Sequence, residues 1–191
     1  LVHHGYFWRN EPPVLTGMKG QRVRALMNHQ MSLIAYHLPL DCHAEFGNNK
    51  ALLDQLGLVG GQPIAEENGL LWSVPLPNAM TIDQLALQVQ SALGRAPMVI
   101  ESSRGSEILS RLVVCTGGAQ DYLTKALSYG ADVYLSGEIS ERTTHEAREL
   151  GVHYIAAGHH ATERYGIQAL GQKLASTLGV DVAFFDDHNP A

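Results

Sequence analysis

Short apolar runs of strand length alternate with stretches of helical periodicity along this chain, and that alternation restricts it to an α/β fold. The pattern is cleanest in the second half. There it predicts strands at 112–116, 132–135, 152–157 and 181–185, with helices at 120–128, 141–150 and 161–178 between them. The last helix carries Ile167, Leu170, Leu174 and Leu178 on one face. In the first half, strand character falls at 1–4, 32–36, 62–65 and 70–74, and helical character at 22–29 and 49–56. The most amphipathic stretch is 81–93, with Ile82, Leu85, Val89 and Leu93 at helical spacing and Gly94 just past its end.

The polar run Glu101-Ser102-Ser103-Arg104-Gly105-Ser106 is the best linker candidate. It divides the chain into two expected α/β halves, 1–105 and 106–191. The halves echo each other faintly. Ser32-Leu33-Ile34-Ala35-Tyr36-His37 parallels His153-Tyr154-Ile155-Ala156-Ala157-Gly158-His159, and an acidic residue, Asp41 or Glu163, follows each. Two similar three-layer halves would face these turns across a cleft.

Bulk properties exclude several classes of function. A net charge of −6 without a Lys/Arg cluster argues against binding nucleic acid. No apolar run approaches a membrane span. Cys42 and Cys115, far apart and without metal-binding spacing, indicate reduced thiols and a cytoplasmic protein. The chain opens at Leu1, without Met and inside a strand-like run. It is read as incomplete rather than processed, because no signal-like segment is present.

Ten histidines are many for 191 residues, and four of them form the pairs His3-His4 and His159-His160. Neighbours on a regular strand point to opposite faces, so His3 and His4 can share a site only where the chain turns, as Gly5 permits. Alone, such a pair is more often one packed and one solvated residue. In Gly158-His159-His160-Ala161-Thr162-Glu163, a helix starting near Ala161 lets His159 and Glu163 converge on one ion, and the carboxylate can bridge two. His160 leans elsewhere, as a supporting or substrate-facing residue. Glu163 alone also fits a carboxylate complementing a helix N-terminus, but that leaves the two histidines unexplained.

The turn His37-Leu38-Pro39-Leu40-Asp41 offers Asp41 as a further anionic ligand and His37 as a supporting or acid/base group, although Asp in a turn is usually a turn former. Thr116-Gly117-Gly118 fits an anion-binding loop less well than a tight turn. Glu138 ends a strand, where it faces the cleft or serves as a buried or capping carboxylate. His29, His43, His145, His153 and His188 lack partners at ligand spacing and are assigned structural or surface roles.

Several motifs together resemble one family. They are Val2-His3-His4-Gly5-Tyr6-Phe7-Trp8, His37-Leu38-Pro39-Leu40-Asp41-Cys42-His43 with Gly47-Asn48-Asn49, and Cys115-Thr116-Gly117-Gly118-Ala119-Gln120. They continue with Asp132-Val133-Tyr134-Leu135-Ser136-Gly137-Glu138-Ile139-Ser140, Ala157-Gly158-His159-His160-Ala161-Thr162-Glu163-Arg164 and Asn189-Pro190-Ala191. In this order, along the whole chain, they are similar to the YbgI-like family, whose members are often labelled GTP cyclohydrolase type 2 homologs or NGG-interacting-factor-like proteins. The bacterial branch, without a long middle insertion, fits best.

The resemblance implies a dinuclear metal centre on His3, His4, Asp41, His159 and Glu163, with Glu163 as the bridge. It also implies two α/β halves around that centre and a ring-shaped homohexamer. Cys42 departs from the family pattern beside a ligand, and the family's opening strands and helix have no counterpart before Leu1. The function expected is that of a metal-dependent hydrolase acting on nucleotides or related small phosphorylated or heterocyclic compounds. A non-catalytic, ring-forming metal-binding regulator or scaffold is the alternative. Imidazole and carboxylate ligands suit two divalent ions per chain, drawn from Zn, Mn, Fe, Ni or Mg.

Overall fold

Leu112, Val113, Val114 and Cys115 are all buried, yet they cannot share one core, because successive strand residues point to opposite faces. Both faces of their strand are therefore covered. In the computed structural model, which describes residues 1–191 apart from the side chains at positions 77 and 78, Leu112 and Val114 belong to one hydrophobic cluster and Val113 and Cys115 to another.

The helices are α1 (Gly17–Asn28), α2 (Leu38–Asp41), α3 (Asn48–Gln55), α4 (Ile82–Leu93), α5 (Leu123–Ser128), α6 (Glu141–Leu150) and α7 (His159–Leu178). The strands are β1 (Gln62–Pro63), β2 (Trp72–Met80), β3 (Met98–Ile100), β4 (Leu109–Cys115), β5 (Val133–Ser136) and β6 (His153–Ala156). They join a single mixed sheet of order β1-β2-β4-β5-β6-β3. The central β4-β5-β6 pairs are parallel, and the outer pairs are antiparallel. Leu52, Leu85, Val89 and Ala161 pack on one face, bringing α3, α4 and α7 against the sheet. Leu123, Ala126 and Ala147 of α5 and α6 pack on the other. The fold is mixed α/β in three layers.

The expectation of two three-layer halves, each with its own sheet, is corrected by this topology. Strands from both sides of position 105 pair with one another: β2 hydrogen-bonds to β4, and β3 to β6. The expected repeat fails at the same place. Residues 153–156 form a central strand, whereas 32–36 contribute only an isolated bridge between Val2 and Ala35.

Residues 181–185 are not a strand either. Phe184 and Phe185 are exposed, and β3 already occupies the sheet edge next to β6. β1 stops after two residues, at Pro63, which lacks the N–H a longer ladder needs. β3 leaves no trace in the sequence pattern, because three residues are too few to show a period.

Strong local signals match the structure. Helix α4 starts from a capping box in which Thr81 and Gln84 satisfy each other's backbone N–H, and it ends at Gly94 with φ +70°. Its four apolar positions are all buried. Helix α6 spans the residues expected of it. No helix among the described residues is long and apolar enough to cross a membrane.

Candidate metal centre

The parallel strands β4, β5 and β6 end side by side at Cys115, Ser136 and Ala156, and the segments that follow them build one rim of the site. Ligand crevices of α/β sheets lie at such carboxyl ends. After β4 comes Gly117, after β5 Glu138, and after β6 the first turns of α7 with His159 and Glu163. Residues 1–41 supply the opposite side, bringing His3, His4, His37 and Asp41.

Three imidazoles meet around one carboxylate oxygen of Glu163, and Asp41 joins them through His3. Oε2 of Glu163 lies 2.8 Å from His159 Nε2, 3.2 Å from His4 Nε2 and 3.6 Å from His3 Nε2. His3 Nε2 is also 3.3 Å from Asp41 Oδ1. Three overlapping groups have donor atoms close enough to hold an ion, namely His3 with Asp41 and Glu163, His4 with His159 and Glu163, and His3 with His4 and His37. The candidate ligands His3, His4, Asp41, His159 and Glu163 are thus brought together, and His37 joins them. His160 is not among them. It turns away, with Nε2 3.4 Å from Asp186 Oδ1.

The surrounding contacts fix which nitrogen of each ring faces the centre. His3 Nδ1 lies 2.8 Å from the Tyr36 carbonyl, an acceptor only, so Nδ1 carries the proton and Nε2 presents a lone pair inward. His159 Nδ1 lies 2.7 Å from Glu138 Oε1, which fixes its tautomer in the same way. This is how metal-bound imidazoles are oriented.

His159 Nε2 and Glu163 Oε2 are then buried and 2.8 Å apart. Two lone pairs at that distance repel unless a proton or a cation lies between them. The donor set therefore fits divalent ions. Without a metal, the charges respond accordingly. Ion pairing with Glu163 raises the His159 pKa to about 9 against the opposing effect of burial, and Glu138 adds to the rise. Burial favours the neutral form of Glu163, but the imidazoles of His159, His3 and His4 outweigh it and hold its carboxyl well below the usual range. Burial raises Asp41 to about 6 despite His3 and Asn48 nearby. His37 is lowered by burial and by the positive charge of His3 and His4.

Three residues support the site: Asn48 and Asn49, which had no expected role, and Glu138, expected to face the cleft or to be a buried or capping carboxylate. Asn48 is fully buried, donates to Asp41 Oδ1 at 2.7 Å and accepts from the Gly166 amide at 3.0 Å, tying α3, the Asp41 turn and α7 together. Asn49 joins α3 to the end of β4 through the Thr116 amide at 3.0 Å. Glu138 orients His159. The adjacent asparagines gave a weak signal, since buried polar residues side by side at a helix start need fixed partners.

Gly117 leaves room for the bridge. It has φ +69°, and a Cβ there would stand 1.9 Å from Glu163 Oε1. Of the five remaining histidines, His153 is buried between the Ser102 amide and the Ser106 carbonyl, and His29, His43, His145 and His188 are exposed.

A cavity of about 470 Å³ opens onto the cluster. Beyond His4, His37, Asp41, His159 and Glu163, its walls include Trp8, Leu38, Leu70, Ala119 and Tyr122.

Comparison with known proteins gives this arrangement its context. The model of the Duf34/NIF3 (NGG1p interacting factor 3) family matches residues 1–190, and the chain belongs to that family. A protein of Allochromatium vinosum named GTP cyclohydrolase 1 type 2 homolog is 51% identical over 191 residues, which are all of this chain and 74% of that protein. A Vibrio cholerae protein of the same name is 47% identical over the whole chain and 76% of its own length. Among solved structures, the protein ybgI, described as of unknown function, superposes with a TM-score of 0.93 at 42% identity, covering the whole chain and 76% of that protein. TTHA1606 from Thermus thermophilus does so at 0.89 and 31%, covering the whole chain and 75% of that protein.

Proposed function

We propose that the chain holds two divalent metal ions on His3, His4, Asp41, His159 and Glu163, with Glu163 as the bridge. We further propose that it acts through them as a hydrolase of nucleotides or related small phosphorylated or heterocyclic compounds. The observation that carries the metal reading is the buried contact between His159 Nε2 and Glu163 Oε2, with two more imidazole nitrogens within 3.6 Å of the same oxygen. Bound ions would supply Lewis acidity and a water activated for attack.

The protein's own residues do the remaining work. Tyr36 and Glu138 hold the Nδ1 protons of His3 and His159, which leaves the Nε2 lone pairs of both rings facing the centre. Asn48 holds Asp41 in place. His37 lines the cavity with its ring 5.0 Å from those of His3 and His4, and is the candidate to carry a proton to or from a substrate there. His160, turned to Asp186, is set aside for that role. The names of the relatives favour a nucleotide-like substrate.

The ligands come from chain segments on both sides of position 105, which the single sheet joins. The free cysteines support the reading of a cytoplasmic location. A ring of six copies belongs to the same proposal. Phe7, Val14, Met18, Met27, Met31 and Ile34 are exposed within the first 40 residues, and an apolar surface of that extent is normally covered by another.

The test is a turnover screen of purified protein, loaded in turn with Mn, Zn, Fe, Ni or Mg, against nucleotides and phosphoesters. Hydrolysis is expected with at least one metal and is expected to vanish in Glu163→Gln. If loaded protein turns over nothing, the hydrolase reading fails and the non-catalytic metal-binding regulator takes its place.

A further inference from the structure

The cavity walls divide into two chemistries. Every ionisable imidazole or carboxylate in the lining belongs to the metal cluster: His4, His37, Asp41, His159 and Glu163. The rest of the wall is largely apolar, and it includes two large aromatic rings, Trp8 and Tyr122. Trp8 is 46% exposed, in contrast to the buried Trp72, and it is held in place edge-on to His4 at 5.5 Å and His37 at 5.4 Å between ring centres. A half-open indole fixed beside a metal cluster is a stacking platform.

Among the described residues, no Lys or Arg lines the cavity. The cations beside Tyr122 and its neighbour Asp121 are already engaged. Lys125 lies 5.0 Å over the Tyr122 ring, but its ammonium is 2.6 Å from Glu67 Oε2. Arg142 is paired with Asp121. Polyphosphates are bound by arginine forks, lysines and rows of backbone amides, and the two bound ions could engage only the phosphate that touches them.

We propose that the site selects a flat aromatic or heteroaromatic molecule presenting at most one anionic group to the metals, and that it has no seat for a polyphosphate tail. This rests on the metal-centre reading above and narrows its substrate class. The volume, about 470 Å³, suits a ring system with one substituent. Trp8 and Tyr122 recognise the ring, and the metals recognise the single polar group.

The experiment is calorimetric titration of metal-loaded full chain, with the metal content of each sample measured alongside. The probes are inorganic phosphate, phenyl phosphate, guanosine, its mono-, di- and triphosphates, and inorganic triphosphate. Phenyl phosphate or guanosine monophosphate is expected to bind about tenfold or more tightly than inorganic phosphate, with no further gain from monophosphate to triphosphate. Trp8→Ala and Tyr122→Ala are expected to remove the gain from the ring while metal content is unchanged.

The proposal is overturned if affinity climbs tenfold or more from the mono- to the triphosphate, or if inorganic triphosphate matches the nucleotide. It is also overturned if both aromatic variants bind the ring probes as the parent does, or if no ring probe binds the loaded protein. A sample that fails to hold metal contradicts the centre itself, and the parallel metal analysis separates that failure from a failure of ring selection.

Discussion

At the scale of single residues, the centre is legible in residue type but not in support. Imidazoles and carboxylates near chain turns announce themselves because few other side chains bind divalent ions, and His3, His4, Asp41, His159 and Glu163 do converge. Their partners announce nothing. Glu138 reaches His159 across 21 positions and Asn48 reaches His3 across 45, and no local pattern encodes such contacts. His160, next to a ligand in sequence, leans elsewhere: the first turn of α7 points it at Asp186. Glu138 gives the sharpest expectation at this scale. Glu138→Gln keeps the shape but replaces a charged acceptor, and such partners of metal-bound histidines are worth about 10–100-fold in metal affinity. Competition with a chromogenic chelator is expected to show a loss of that size with an unchanged melting curve of the metal-free protein. Unchanged affinity would assign Glu138 to the surface.

At the scale of elements, strength of signal decided legibility. Helix α4 combines a capping box, four apolar positions at helical spacing and a left-handed glycine at its end, and all three agree. Residues 32–36 and 181–185 have strand composition but no strand to pair with, and propensity without a partner makes no sheet. The packing of α4 is testable. Leu85 is fully buried within the cluster shared with α3 and the sheet. Leu85→Ala is expected to cost about 2–5 kcal/mol. For a chain of this size that lowers the thermal midpoint by on the order of 10 °C, while metal content stays as in the parent because no ligand lies on α4. A midpoint within a degree or two of the parent would mean that α4 packs loosely.

At the scale of the whole molecule, the alternation of apolar runs and helices pointed to α/β layering, and the sheet has it. What it could not convey is that strands on both sides of position 105 join one sheet, because pairing between β2 and β4 or β3 and β6 is non-local. The same non-local assembly puts residues 3 and 163 in contact, so the centre exists only in the folded chain. Any ion bound there is therefore linked to folding and would stabilise the fold by mass action. The central claim is a two-ion centre bridged by Glu163. Its most direct test is the number of ions bound per chain at saturation, in protein purified without a histidine tag, for the parent and Glu163→Gln. The account predicts two ions per chain in the parent and fewer than one in the variant. One ion or none in the saturated parent, or two retained in the variant, would contradict it.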